Sequence, residues 1–108
     1  EVHGSDTILI DDMIDTAGTI CQAARVLKER GARSVTALAT HPVLSGPAIQ
    51  RLTESQIDQV IVTNTIPLTQ EAQSCAKIKT ISVAPLFAEA IRRIHDLNSV
   101  SSLFDWAE

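Results

Sequence analysis

The sequence predicts an α/β fold in which a mostly parallel β-sheet is flanked by helices on both faces. Three observations predict it: short apolar runs rich in β-branched residues, amphipathic segments between those runs, and no clean two-residue alternation within them. The chain has 108 residues, of which 44% are hydrophobic and 20% charged. These values are typical of one globular domain. We therefore expect a single domain over residues 1–108, with tails at about residues 1–5 and 97–108.

Four short apolar runs predict the strands of this sheet. They lie at residues 7–10 (TILI), 34–40 (SVTALAT), 60–62 (VIV) and 78–83 (IKTISV). Each run is short and rich in β-branched residues, as expected of strands buried in a parallel sheet. Ligands bind at the carboxyl ends of strands in such sheets. The segments to inspect are therefore residues 11–18, residues 41–46 and the chain from residue 64 onward, with a loop expected over 64–71.

Two helices are predicted between these strands. Ile20, Ala24 and Leu27 recur at helical spacing, and Gly31 stands where a helix C-cap is expected. A second, shorter helix is expected over residues 47–54 (PAIQRLTE).

A longer last helix is predicted after the fourth strand. Pro85 suits its first turn, and Phe87, Ile91 and Ile94 give it an apolar stripe. The tail that follows is polar until it reaches three apolar side chains, Leu103, Phe104 and Trp106. We expect these to belong to a surface that a partner covers.

The composition excludes two classes of partner. The formal net charge is −4, so no basic surplus is available to neutralise a nucleic-acid backbone or an anionic membrane surface. Aromatic residues make up 3% of the chain, which leaves few platforms for stacking bases. No apolar run approaches the ~20 residues that span a bilayer. We therefore expect neither nucleic acid nor a membrane as a partner.

Cysteine usage bears on the cellular compartment. Cys21 and Cys75 are far apart in sequence and have no metal-ligand spacing. They predict two reduced thiols and a cytoplasmic protein, because disulfides are rare in that compartment. An organelle is left open, since a targeting segment would precede Glu1.

The segment after the first strand carries the clearest functional signal. Asp11, Asp12 and Asp15 lie within five positions, and residues 16–19 (TAGT) follow where a helix opens. The backbone N–H groups at a helix N-terminus, together with threonine hydroxyls, form a phosphate cradle. Carboxylates accept hydrogen bonds from vicinal diols or hold Mg²⁺. The pattern therefore suits a sugar phosphate better than simple helix capping, which adjacent carboxylates would not favour.

Other acid-rich or phosphate-binding loops fit less well. A phosphate-accepting receiver domain needs a further Asp and a Lys at the ends of later strands, where this chain has Thr40, Thr63 and Asn64. A Walker P-loop needs Gly-Lys-Ser/Thr, and a dinucleotide fingerprint needs closely spaced glycines. Both patterns are missing from the sequence.

This segment resembles the phosphoribosyl-pyrophosphate motif of type I phosphoribosyltransferase folds and, more narrowly, the ribose-phosphate pyrophosphokinase (PRPP synthetase) family. The resemblance extends over nearly the whole chain. It rests on residues 10–19 (IDDMIDTAGT), 40–48 (THPVLSGPA), 62–67 (VTNTIP), 88–95 (AEAIRRIH) and 99–104 (SVSSLF). Ser82 and Asn98 depart from the family pattern, where an acid is frequent at both positions.

The resemblance implies a Rossmann-like three-layer domain with two kinds of site. Asp11 and Asp12 would hold the ribose hydroxyls of ribose 5-phosphate, directly or through Mg²⁺. The 5-phosphate would be bound by the loop that follows, which comprises Asp15, Thr16, Ala17, Gly18 and Thr19. An allosteric nucleotide site between subunits would involve Ser99, Val100, Ser101 and Phe104.

The resemblance also implies an activity and an assembly. Family members make PRPP from ribose 5-phosphate and ATP, and their ATP pocket and catalytic Lys/Arg loop lie upstream of this motif. The chain would be a C-terminal portion that carries no catalytic residue. In isolation it would be inactive and would bind ribose 5-phosphate weakly or not at all. The full-length protein would be a homo-oligomer, a hexamer. Two alternatives stay open: a non-catalytic regulatory or synthetase-associated subunit, and another type I phosphoribosyltransferase.

Overall fold

A computed structural model describes residues 1–104 and contains one four-stranded parallel sheet in the order β1-β2-β3-β4. The strands are β1 (Asp6–Ile14), β2 (Ser34–Pro42), β3 (Gln59–Thr63) and β4 (Ile78–Ile81). The helices are α1 (Gly18–Glu29), α2 (Ala48–Glu54), α3 (Gln70–Gln73) and α4 (Ala84–His95), followed by a 3₁₀ turn at Ser101–Phe104. The predicted α/β class, a parallel sheet flanked by helices, is confirmed. Trp106 lies outside the described residues.

Several boundaries differ from the prediction. Strand β2 runs two residues beyond the predicted end at Thr40, and β4 ends at Ile81 instead of residue 83. Two further differences concern the predicted loops. Strand β1 continues to Ile14, so Asp11 and Asp12 lie in the strand and not in the loop after it. The reason is that β1 stays in register with β2 as far as the pair Ile14 and Pro42. The expected loop at residues 64–71 also gives way to α3 at Gln70, whose first turn is capped by Thr69.

The core lies between one face of the sheet and the helices α1 and α2. Val35 in β2 and Val60 in β3 are fully buried on this face, and Ala24 of α1 and Leu52 of α2 pack against it. Ile20 and Leu27 pack at the edge of the same cluster. The apolar stripe that the sequence predicted for α1 therefore faces the core.

The opposite face of the sheet is open within residues 1–104. Ile8, Ile10 and Ile81 on this face are 60%, 79% and 57% exposed. Strand order explains this one-sided arrangement. Each connection joins two neighbouring parallel strands, and such crossovers are nearly always right-handed, so the connecting helices gather on one face. The expectation of helices on both faces required a reversal of strand order, which these four strands do not contain.

Helix α4 leaves the end of β4 and has no buried side chain. Its start is held by Asn64, the residue after β3. Asn64 accepts a hydrogen bond from Val83 N (2.9 Å) and donates one to Ser82 Oγ (3.2 Å). Ser82 Oγ also accepts a hydrogen bond from Ala84 N, in the first residue of α4, at 3.2 Å. No helix within residues 1–104 has the length and apolar character needed to cross a lipid bilayer.

Helix α1 ends in a Schellman motif at the predicted glycine. Gly31 N donates to Lys28 O and Ala32 N donates to Leu27 O, both at 3.0 Å. Gly31 has a φ of 91°, which a residue with a Cβ adopts only at a cost. The C-cap prediction at Gly31 is therefore confirmed.

Gly31→Ala is expected to lower the free energy of unfolding by more than the ~1–2 kcal/mol of left-handed backbone strain. The reason is that a Cβ on Gly31 would meet the imidazole of His3, which would have to move aside. Gly46→Ala is the matched control, because Gly46 also has a positive φ but nothing within 4 Å of its Cβ position. Chemical denaturation of both variants measures the difference. Equal losses of stability in Gly31→Ala and Gly46→Ala would contradict the prediction. So would a loss in Gly31→Ala that stays the same when His3 is also replaced by alanine.

Candidate functional site

A cavity of about 160 Å³ lies where β1 ends and α1 begins. It is lined by Asp11, Met13, Ile14, Asp15, Thr16, Ala17, Gly18, Thr19 and Ile20. The structure thus brings Asp11 together with all the residues of the predicted phosphate loop. Asp12 is next to Asp11 in β1 but is not among the residues that line the cavity.

The first turn of α1 leaves donors available to an anion. The helix starts after Ala17, which has a left-handed φ of 68° and whose carbonyl accepts a hydrogen bond from Cys21 N at 3.1 Å. The N–H groups of the first turn have no partner within the helix. No side chain caps this end, and no acidic residue lies in the first turn. Thr16 and Thr19 are exposed beside it, so donors and the positive helix end face the cavity.

The two adjacent acids interact with each other. Asp12 N donates to Asp11 Oδ1 at 2.8 Å. A hydrogen bond with the Asp12 side chain, and a second with the Asp12 backbone, hold the pKa of Asp11 below its ordinary value. Two exposed carboxylates this close repel when both are charged, and a divalent cation or the hydroxyls of a diol relieve that repulsion.

Asp15 connects the cavity loop to the loop after β2. Its carboxylate accepts a short hydrogen bond from Ser45 Oγ, and its carbonyl accepts one from Ser45 N at 3.0 Å. Leu44 N donates to Ile14 O at 2.9 Å, and Leu44 itself has a positive φ of 50°. Asp15 therefore fixes the position of the loop as well as lining the cavity.

A second brace comes from helix α2. Arg51 Nη1 donates to Thr16 O at 3.1 Å, across 35 positions of sequence. Sequence reasoning missed both Ser45 and Arg51. For Ser45 a signal existed, because Ser45 follows the end of β2 at the same edge of the sheet. An arginine on a helix is ordinarily assigned to the solvent-exposed face, so nothing in the sequence indicated that Arg51 contacts this loop.

The residues predicted for an allosteric site lie elsewhere, after α4. A cavity of about 360 Å³ is lined by Arg92, Arg93, Asn98, Ser99 and Ser102. Arg93 Nη1 donates to Ser99 O at 3.3 Å, and the hydroxyls of Ser99 and Ser101 are 2.8 Å apart. Val100, Ser101 and Phe104 are close in sequence but do not line this cavity.

The two cysteines and His41 lie outside the cavity between β1 and α1. Cys21 and Cys75 are free thiols, and burial raises the pKa of the Cys21 thiol, which favours its protonated form. His41 Nδ1 lies 2.9 Å from Thr65 Oγ1. Among residues 1–104 no group of three or more His, Cys, Asp or Glu side chains could hold a metal ion. A cation at the paired acids would need oxygens from a ligand or from water.

Comparison with known proteins identifies close relatives. The ribose-phosphate pyrophosphokinase of Helicobacter hepaticus is 64% identical over 104 residues, which are 96% of this chain and 33% of that protein. The protein of the same name from Helicobacter pylori strain 26695 is 67% identical over 99 residues, 92% of this chain and 30% of that protein. The chain therefore spans about a third of the length of these relatives.

A solved structure agrees with this result. The crystal structure of phosphoribosylpyrophosphate synthetase from Mycobacterium smegmatis matches with a TM-score of 0.85 and 47% identity, over 90% of this chain and 32% of that one. The family model of the phosphoribosyl synthetase-associated domain matches residues 1–105. The chain therefore belongs to the phosphoribosyl synthetase-associated domain family.

Proposed function

We propose that this chain is the portion of a ribose-phosphate diphosphokinase that binds ribose 5-phosphate. The observation that carries the proposal is the cavity shared by Asp11 and the first turn of α1, which offers acceptors at one end and donors at the other. A sugar phosphate has the complementary arrangement, with hydroxyl donors on the ring and an acceptor phosphate at carbon 5. The similarity to ribose-phosphate pyrophosphokinases supports the same substrate.

Each end of the substrate has its own partners in this proposal. Asp11 and Asp12 accept hydrogen bonds from the ribose hydroxyls, and the backbone N–H groups of Ala17, Gly18 and Thr19 donate to the phosphate. The hydroxyls of Thr16 and Thr19 add side-chain donors, and Asp15 keeps the loop in place through Ser45. These groups position the sugar but do not move a pyrophosphoryl group. That chemistry requires ATP and cationic side chains, which we place in the parts of the longer relatives that this chain does not match.

Mg²⁺ fits the acid pair as a shared ion. Mg²⁺ is usually held by one or two carboxylates together with substrate oxygens and water, and Asp11 and Asp12 supply one such pair. Bound there, the ion would neutralise charge that builds up during phosphoryl transfer. The carboxylates would fix its place beside the ribose hydroxyls.

We also retain the proposal of a second, allosteric site for a nucleotide near Ser99, Val100, Ser101 and Phe104. The cavity that Arg92 and Arg93 form with Ser99 supports it, since arginine pairs well with phosphate. Both arginines already contact Glu89, whose pKa they lower to about 2, so an anion would compete with that carboxylate. In this proposal the site is completed by neighbouring subunits of a cytoplasmic homo-oligomer, a hexamer.

A calorimetric titration with ribose 5-phosphate in the presence of Mg²⁺ tests the substrate site. We expect weak but saturable heat from the folded chain. Thr16→Val should bind ribose 5-phosphate at least about tenfold more weakly than the unmodified chain, because it removes one hydroxyl donor to a charged group. Thr80→Val is the matched control, because Thr80 is an exposed threonine on β4. Strand β4 lies three strand spacings, about 14 Å, from β1.

Two outcomes of the titration would contradict the proposal. One is the absence of heat from a chain that circular dichroism shows to be folded. The other is an equal loss of affinity in Thr16→Val and Thr80→Val. We further expect no PRPP formation when ATP is added to the chain alone, and steady turnover would show that catalytic groups lie within it.

A further inference from the structure

A charged hydrogen-bond donor holds the peptide between Thr16 and Ala17 from the side opposite the candidate site. Arg51 Nη1 donates to the carbonyl oxygen of Thr16 at 3.1 Å. In a trans peptide the carbonyl and the following N–H point in opposite directions. A cation on the Thr16 oxygen therefore directs the Ala17 N–H away from Arg51, and it strengthens that N–H as a donor by polarising the peptide.

Arg51 occupies the side of the loop away from the candidate site. It does not line the cavity that contains Asp11 and Thr16. It lines a separate cavity of about 450 Å³ behind α1, together with Gly18 and Cys21. Among residues 1–104 Arg51 forms no ion pair, although Glu54 lines the same cavity.

Gly18 leaves the room that this contact needs. A Cβ on Gly18 would lie 3.1 Å from Arg51 Nη1, closer than ordinary packing allows. The missing side chain at Gly18 therefore leaves space for the Arg51 guanidinium on one side of the loop and for a ligand on the other. The hydrogen bond from Arg51 Nη1 to Thr16 O thus joins helix α2 to the loop that precedes α1.

We propose that Arg51 is a positioning residue for phosphate binding: it holds and polarises the Thr16–Ala17 peptide so that the Ala17 N–H faces the phosphate of the sugar. It touches the loop and not the ligand. This inference rests on the proposed ribose 5-phosphate site and adds to that site a residue from outside the motif.

The test compares Arg51→Met with Arg25→Met in the full chain. Both arginines are exposed and line the same cavity, but only Arg51 contacts the loop. We expect ribose 5-phosphate in Mg²⁺ to bind on the order of tenfold more weakly to Arg51→Met, as when the partner of a ligand-holding group is removed. Arg25→Met should bind like the unmodified chain. Arg51→Lys, which restores a cation within reach of Thr16 O, should recover most of the affinity.

A second readout distinguishes positioning from general stability. In the ligand-free chain, the amide proton resonance of Ala17 should shift in Arg51→Met and stay in place in Arg25→Met. The unfolding midpoints of both variants should match, because both side chains are exposed.

Each contrary result overturns a defined part of the inference. Unchanged affinity in Arg51→Met, an unmoved Ala17 resonance, or an equal loss in Arg25→Met would overturn the role of Arg51 while the ribose 5-phosphate site stands. Failure of the unmodified folded chain to bind ribose 5-phosphate would overturn the site and the positioning role together.

Discussion

Leu52→Ala is expected to lower the free energy of unfolding by about 2–5 kcal/mol, the range for a leucine removed from a packed core. Leu52 is fully buried on α2 and belongs to the cluster that joins the helices to the sheet. A domain of this size typically has only about 5–15 kcal/mol of stability. The open face of the sheet contributes little burial, so this single cluster carries most of it.

Chemical denaturation followed by circular dichroism measures the effect. The matched control is Leu97→Ala, because Leu97 is 93% exposed and its loss should change stability by no more than about 0.5 kcal/mol. Equal midpoints for the two variants would show that the helix-covered face is not the stabilising core.

Ala17→Val is the second large effect, and it falls on the loop of the candidate site. Ala17 has a φ of 68° and is 5% exposed. A β-branched side chain is strongly disfavoured at positive φ, and the buried methyl leaves little room for a larger group. We expect a loss of about 2–4 kcal/mol in stability. We also expect the affinity for ribose 5-phosphate to fall at least about tenfold, because the backbone conformation of Ala17 sets the direction of the first turn of α1.

Ala17→Gly is the control that separates conformation from contact. Glycine removes the cost of the left-handed conformation but also removes a buried methyl, so the two changes nearly offset. Its stability should stay within about 1 kcal/mol of the unmodified chain, and its affinity within about threefold. The titration is run at a temperature where both variants are folded. Full affinity in Ala17→Val would contradict the importance of this backbone angle.

The fold class could be predicted because strands and helices each had a local signal. The strand at residues 60–62 and the end of the helix at Gly31 could each be predicted from neighbouring residues alone. The end of β1 could not be predicted from its own residues. Asp11 and Asp12 have low strand propensity, and only pairing with β2 keeps them extended.

The open sheet face had a weak signal in β2. Val35 and Ala37 alternate with Thr36 and Thr40, and this partial alternation is typical of a sheet with one exposed face. The overall apolar character of the run outweighed it. The packing of α1 against the sheet, by contrast, could be predicted from the apolar stripe on this helix.

The residue types of the candidate site could be predicted, but its supports could not. A left-handed residue is usually glycine, and Gly18 is adjacent, yet the positive φ falls on Ala17. The contacts of Ser45 and Arg51 join residues 30 and 35 positions apart. Only the folded geometry defines such pairs, because no local pattern in the sequence relates them.

The position of these contacts has a consequence for how the molecule folds. Every group of the candidate substrate site lies between β1 and α2, in one β-α-β unit and the helix after it. Loop-closure entropy grows slowly with length, and closures of about 30 residues are short on the scale of a domain. The hydrogen bonds that shape the site therefore need no contact from β4 or α4. The geometry for recognising a sugar phosphate is encoded within the first two strands and their helices.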